Sequence, residues 1–151
     1  MKHEAIVKVL NRALSAEYAG IIQYLQNAQL VQGLNRELYE ELFKKLSQEC
    51  LTHAGKVGRW IVLLGSVPTV EPGPIKQTTD LNEMLRCGIE LERTAYNTYV
   101  EALKTAEDNP PLRFFLEEMA YDEFMQIDEF ERLLGTKTFS VPVKELKQKQ
   151  A

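Results

Sequence analysis

Apolar residues recur at helical spacing in four blocks, and glycine and proline cluster only between them. The first block, roughly residues 4 to 32, carries the stripe Ile6, Leu10, Ala13, Glu17, Ile21, Tyr24, Ala28 and Val31 and stops at Gly33. The second begins at Asn35, a candidate N-cap, and carries Leu38, Leu42, Leu46, His53, Val57, Trp60 and Leu64 before Gly65. Asp80 followed by Glu83 predicts a capping-box start to the third, whose stripe is Leu81, Leu85, Gly88, Glu92, Ala95, Tyr99 and Leu103. The fourth follows Asn109-Pro110-Pro111, where proline suits the first turn of a helix. It carries Leu112, Leu116, Met119, Glu123, Gln126, Phe130 and Leu133 to Gly135. The pattern predicts an all-α chain.

Between the second and third blocks, GSVPTVEPGPIKQTT has no helical period. At about 3.3 Å per extended residue it reaches about 50 Å, while a helix of about 28 residues is about 42 Å long. The connector therefore returns the chain along a whole helix and sets the third helix parallel to the second. Two short-looped hairpins joined by one long crossover predict a four-helix bundle over residues 1–135. Residues 136–151, TKTFSVPVKELKQKQA, are left as a tail, either a strand-like arm or a short fifth helix from Val143.

Each stripe is interrupted near its middle by polar residues: Glu17 in the first, Glu49, Cys50 and His53 in the second, Glu92 in the third, Glu123 and Gln126 in the fourth. Counting residues to each turn brings all of them to one height in the bundle. Glu17 is followed by Tyr24, and Glu92 by Tyr99, at the same spacing of two helical turns, as two hairpins related by a pseudo-twofold axis require. Singly, each residue has an ordinary reading as a snorkelling glutamate, a bonded core histidine or a core tyrosine. Together they place several carboxylates in a bundle core, at a cost of several kcal/mol each unless neutralised. Divalent metal ions supply that charge, and an oxygen-rich set with one imidazole suits iron or manganese. Taking about 100° per residue, Glu49 lies near the centre of its stripe and Cys50 off to the other side.

Composition narrows the setting. The 151 residues form one domain with ordinary apolar content, and a formal charge of -4 argues against a nucleic-acid surface. No stretch approaches the roughly 18 uncharged residues of a membrane span, and MKHEAIVKV lacks the apolar region of a signal peptide, so a cytoplasmic protein is expected. Cys50 and Cys87 form no paired motif and are expected as reduced thiols.

Over about residues 8 to 134 the chain resembles bacterioferritin. AEYAGIIQYL is similar to that family's first-helix ligand segment, and LTHAGKVGRWIVLLGSVP, EMLRCGIELE and DEFMQIDEFERLLG are similar to its later helices. The resemblance implies a ferritin-like four-helix bundle with a di-iron carboxylate centre. Glu17 and Glu92 fall on its single-helix ligands, His53 on the histidine of its first Glu-x-x-His motif, and Glu123 on the glutamate of its second. Neither motif is intact: Cys50 stands at the first motif's glutamate and Gln126 at the second motif's histidine. Matched this way Cys50, not Glu49, is the ligand position, so either Glu49 turns inward or the centre has lost a bridge. A thiolate at Cys50 would favour zinc. The family's haem-ligating methionine falls on Leu51, so haem is not expected.

Two functions are implied. In the first, ferrous iron binds at Glu17, His53, Glu92 and Glu123, with Glu49 or Cys50 and with Gln126 completing the set, and Tyr24 donates an electron during oxidation by dioxygen; storage or iron homeostasis follows. In the second, the chain is a non-catalytic ferritin-like structural or partner subunit with a decayed centre. The resemblance implies a homo-oligomer, at least a dimer, with co-assembly with a homologous subunit as a further expectation. A rubrerythrin-like peroxide scavenger would use an extra glutamate, for which Glu90 and Glu118 are the spare candidates.

Overall fold

The computed structural model describes residues 3–106 and 108–141. Helices α1 (Glu4–Leu30), α2 (Arg36–Leu63), α3 (Leu81–Thr105) and α4 (Pro110–Leu134) follow one another in an all-α arrangement. Their ends obey the local chemistry. Asp80 accepts a hydrogen bond from Glu83 N at 2.8 Å, and Asn109 caps α4 by accepting from Leu112 N at 3.2 Å. Helices α2 and α4 stop in the same way, at Gly65 and Gly135 with positive φ, whose following residues bond back to Ile61 O and Glu131 O.

Some local expectations are corrected. Helix α1 ends at Leu30, because Val31 turns to an extended conformation. Asn35 occupies the N-cap position of α2 without a side-chain cap bond. The capping box at α3 is only half formed, since the Glu83 carboxylate accepts from the Thr78 hydroxyl. Leu38 is 65% exposed, and the face that α2 buries runs through Phe43, Leu46, Cys50, Val57 and Ile61. An alternative for the tail, a fifth helix from Val143, lies outside the described residues.

The topology follows from three packings. Helix α1 packs on α2, α3 on α4, and α1 on α3. Ser47 on α2 bonds Ile21 O on α1, while Tyr24 pairs with Glu92 and Tyr99 with Glu17, so α1 runs antiparallel to both α2 and α3. Helices α2 and α3 are therefore parallel, and residues 64–80 make the return. That strap is fastened along α1: Thr69 N donates to Asn11 Oδ1, Gly73 N to Ser15 O, and Lys76 exchanges two bonds with the Gln23 amide. These bonds satisfy backbone groups of a segment with no ladder of its own.

The core divides into two apolar clusters. One gathers Leu10, Leu14, Val57, Ile61, Leu116 and Met119, and the other Tyr24, Phe43, Leu46, Met84, Leu85 and Phe130. Each large side chain so buried contributes about 1.5–3 kcal/mol. The buried carboxylates lie between the clusters, held in place by packing from both ends. Among the described residues no helix is long and apolar enough to cross a membrane.

Candidate metal centre

Each helix sends at least one polar side chain to the layer between the clusters. Glu17, Glu92 and Glu123 are 2%, 4% and 2% exposed, a degree of burial rare for carboxylates without partners. His53 from α2 stands among them, its Nδ1 3.0 Å from Glu123 Oε1 and 3.5 Å from Glu17 Oε1. Its other nitrogen, Nε2, lies 3.3 Å from Asp122 Oδ2. Asp122 precedes Glu123 on α4, so one turn of α4 addresses both sides of the imidazole. Helix stripes do not reveal Asp122, which is one residue off the buried face; the need of the second imidazole nitrogen for a partner is the signal that points to it.

The two tyrosines act as a reciprocal pair. Tyr24 on α1 donates its hydroxyl to Glu92 on α3, and Tyr99 on α3 donates to Glu17 on α1 at 2.6 Å. Equal glutamate-to-tyrosine spacing on antiparallel helices produces this exchange, so the repeat in the sequence already contained it. Both phenols are pushed well above their usual pKa by burial, then by the neighbouring glutamates, and they remain donors.

Burial pushes the Glu123 carboxyl well above the usual carboxylate range, and the charges of Glu92 and Glu17 act in the same sense. Glu92 is raised by burial too, against hydrogen bonds from Glu123 and Tyr24 that favour its ionised form. Burial opposes the charge on His53, but its hydrogen bond to Glu17 and the charges of Glu17, Asp122 and Glu92 outweigh that and raise its pKa. Cys50 is raised by burial and then by Glu17, Glu92 and Glu123, which keeps it a neutral thiol. The metal-free cluster thus retains protons, and a divalent ion entering it displaces them.

The remaining sequence candidates fall in distinct places. Cys50 points inward, with its Sγ in a notch that exists because residue 20 is glycine: a Cβ there would come within 2.5 Å of the sulfur. Glu49 turns outward, its side chain 44% exposed and 3.8 Å from Lys45. Gln126 reaches the layer with its Nε2 buried and without a hydrogen-bond partner. Glu90 pairs with Lys76 and Glu118 with Lys56 on the surface, and Leu51 is exposed. Between α2 and α4 a cavity of about 810 Å³ opens onto Glu49, Cys50, His53, Glu92, Glu123 and Gln126. It gives the layer a path to solvent.

The donors suit a metal ion. Glu123 Oε1 is buried and accepts no hydrogen bond, although His53 Nδ1 is 3.0 Å away. An orphaned buried oxygen costs about 1–3 kcal/mol, more when charged, and a cation between the two groups would satisfy both. Ligand atoms of Glu17, His53 and Glu123 lie within 4.8 Å of one another. Bonds of about 2.0–2.2 Å to a shared ion set such atoms at most about 4.4 Å apart, so a small adjustment closes the site.

The Ferritin-like domain family matches residues 7–138. A bacterial ferritin of Pseudomonas aeruginosa is 32% identical over 92 residues, 60% of this chain and 59% of that protein, so the match spans less than two thirds of that relative. A bacterial ferritin of Neisseria meningitidis serogroup B is 27% identical over 109 residues, 70% of this chain and 69% of the relative. Among solved structures, a ferritin-like, diiron-carboxylate protein from Bacillus anthracis superposes with a TM-score of 0.86 at 30% identity, covering 89% of this chain and 98% of the other. With the helices in ferritin-like order and a carboxylate and imidazole cluster at their middle, the chain belongs to the ferritin-like family.

Proposed function

We propose that the chain binds ferrous iron at Glu17, His53 and Glu123, with Glu92 and Tyr24 beside them, and serves iron oxidation, storage or homeostasis. The observation that carries this reading is the convergence of three buried ligand atoms, one of them the orphaned Glu123 Oε1. Iron is the substrate here, and its chemistry is the surrender of an electron to dioxygen. The chain's own contribution is positioning. Tyr99 fixes Glu17, Asp122 fixes the imidazole so that Nδ1 faces the carboxylates, and the α2–α4 cavity admits the ion. The bond from Tyr24 to Glu92 holds its phenol beside the layer, which supports a role for it as an electron donor. Oxygen ligands with a single imidazole favour iron or manganese.

Exposed Ile22 and Leu25 on α1 and Leu51 on α2 support assembly of at least a dimer, and the free thiols of Cys50 and Cys87 suit the cytoplasm. A second reading, a ferritin-like partner subunit that does not turn over, is favoured by Cys50 and Gln126 at the two positions where the bacterioferritin pattern has glutamate and histidine. An anaerobic ferrous titration of the metal-stripped chain, followed by admission of air, separates these readings. Uptake lost in Glu17→Ala supports the iron site, and rapid oxidation supports turnover. Uptake without oxidation supports the partner subunit, and no uptake refutes the iron site.

A further inference from the structure

We infer that the centre holds one divalent ion, at the position made by Glu17, His53 and Glu123, and that the adjoining position needed for an ion pair is closed by the protein itself. The inference rests on the metal-binding reading above and deepens it.

Carboxylate bundles that hold two ions draw on four glutamates and two histidines, one Glu-x-x-His pair on each of two helices and a glutamate on each of the others. Three glutamates and one histidine reach the layer here. On α2 the inward side chain is the thiol of Cys50, lodged against Gly20, and the only adjacent carboxylate, Glu49, is turned toward Lys45. Helix α2 therefore directs no carboxylate into the layer to bridge two ions. On α4 the second candidate is the Gln126 amide, whose buried Nε2 has no hydrogen-bond partner and which offers a neutral carbonyl oxygen in place of an imidazole. The remaining carboxylate, Glu92, accepts from Tyr24 as Glu17 does from Tyr99, but it lies outside the group whose ligand atoms converge.

The two positions differ accordingly. Glu17, His53 and Glu123 form the one group of at least three such side chains among the described residues whose ligand atoms converge within 4.8 Å, and Glu92 is outside it. A second ion would have Glu92, a share of Glu123 and an amide. Reduction of dioxygen to hydrogen peroxide takes two electrons and two protons, hence two ferrous ions oxidised to ferric. A single ferrous ion supplies one electron, so iron alone at one centre does not complete that reaction. The second electron comes from the Tyr24 phenol or from a second iron elsewhere.

The test is the number of ions bound. The full-length, metal-stripped chain is titrated anaerobically with ferrous ion, and separately with cobaltous ion, by calorimetry; bound metal is then counted after gel filtration. One ion per chain is expected, rising to two in the double substitution Cys50→Glu with Gln126→His. Two tightly held ions in the wild-type chain would overturn the inference and leave the metal-binding reading intact. No bound ion would overturn that reading and the inference with it. If circular dichroism shows the double variant unfolded, the wild-type count decides alone. A folded double variant that still binds one ion overturns the assignment of Cys50 and Gln126 as the residues that close the second position.

Discussion

The reciprocal bonds between α1 and α3 allow the energetic role of a buried carboxylate to be measured. Glu17 is 2% exposed and takes its Tyr99 bond at 2.6 Å, while Tyr99 is fully buried. Tyr99→Phe removes a hydrogen bond to a carboxylate and should destabilise the metal-free chain by about 1.5–3 kcal/mol. Glu17→Leu keeps the volume but strands the Tyr99 hydroxyl, at a cost of about 1–3 kcal/mol set against relief of burying the carboxyl. The double substitution removes both polar partners together and should be close to neutral or stabilising. The coupling between the two sites should therefore be about 2 kcal/mol. Urea unfolding of the four metal-stripped proteins at neutral pH gives each term from midpoints and slopes. Singles that add to within about 0.5 kcal/mol in the double variant would refute the pairing and the view that this carboxylate is held for ligation and not for stability.

Further expectations concern pH, the imidazole and the packing. Glu92 and Glu123 have folded pKa values raised above the ordinary 4.5 and His53 above 6.5, so the folded chain binds more protons than the unfolded one. Their contribution is full below those ordinary values and is lost as pH rises through the folded ones. The urea midpoint of the metal-free protein should thus fall from about pH 5 to about pH 8, and a rise would contradict the assignment. Asp122→Asn should weaken divalent-metal affinity about 10–100-fold while leaving the fold unchanged, as read by calorimetry. Gly88→Ala puts a Cβ 2.7 Å from Cζ of the fully buried Phe130 and should destabilise by about 1–3 kcal/mol in urea unfolding, partly recovered by Phe130→Leu.

The bundle was legible because its signals are local and redundant: helical stripes, the Asp80 and Asn109 caps, the Gly65 and Gly135 stops, and a connector as long as a helix. The depth of Glu17, His53, Glu92 and Glu123 was legible by counting from the turns. The rotation of α2 was not. A stripe anchored on Leu38 puts Glu49 at its centre, but Leu38 lies near the free N-terminal end of α2 and is exposed, whereas Phe43 and Leu46 set the buried face and bring Cys50 inward. Alignment to the bacterioferritin pattern pointed to Cys50 where angular counting pointed to Glu49. Over a helix of 28 residues a single misplaced anchor turns the inferred face by most of a residue step, enough to exchange neighbours. Asp122 escaped for the opposite reason, since a side chain 41% exposed belongs to no core stripe and gains its role only from the ring it faces.

The two departures from the bacterioferritin pattern also belong together. Helix α2 lacks the glutamate of its motif and has the histidine; α4 lacks the histidine and has the glutamate. Because α2 and α4 face each other across the cavity, the retained members meet, His53 Nδ1 standing 3.0 Å from Glu123 Oε1. Adding Glu17, which Tyr99 holds in place, completes a three-donor position on one side of the layer. The absent members would both have served the other side or the bridge between the two. Random loss of two ligands from a symmetric centre would as readily leave each side with an incomplete set. This combination preserves one side whole and leaves Glu92, which accepts from Tyr24 as Glu17 does from Tyr99, outside the converging group. The pseudo-twofold relation is thus intact between α1 and α3, where it builds the fold, and broken between α2 and α4, where it would have built a second metal position.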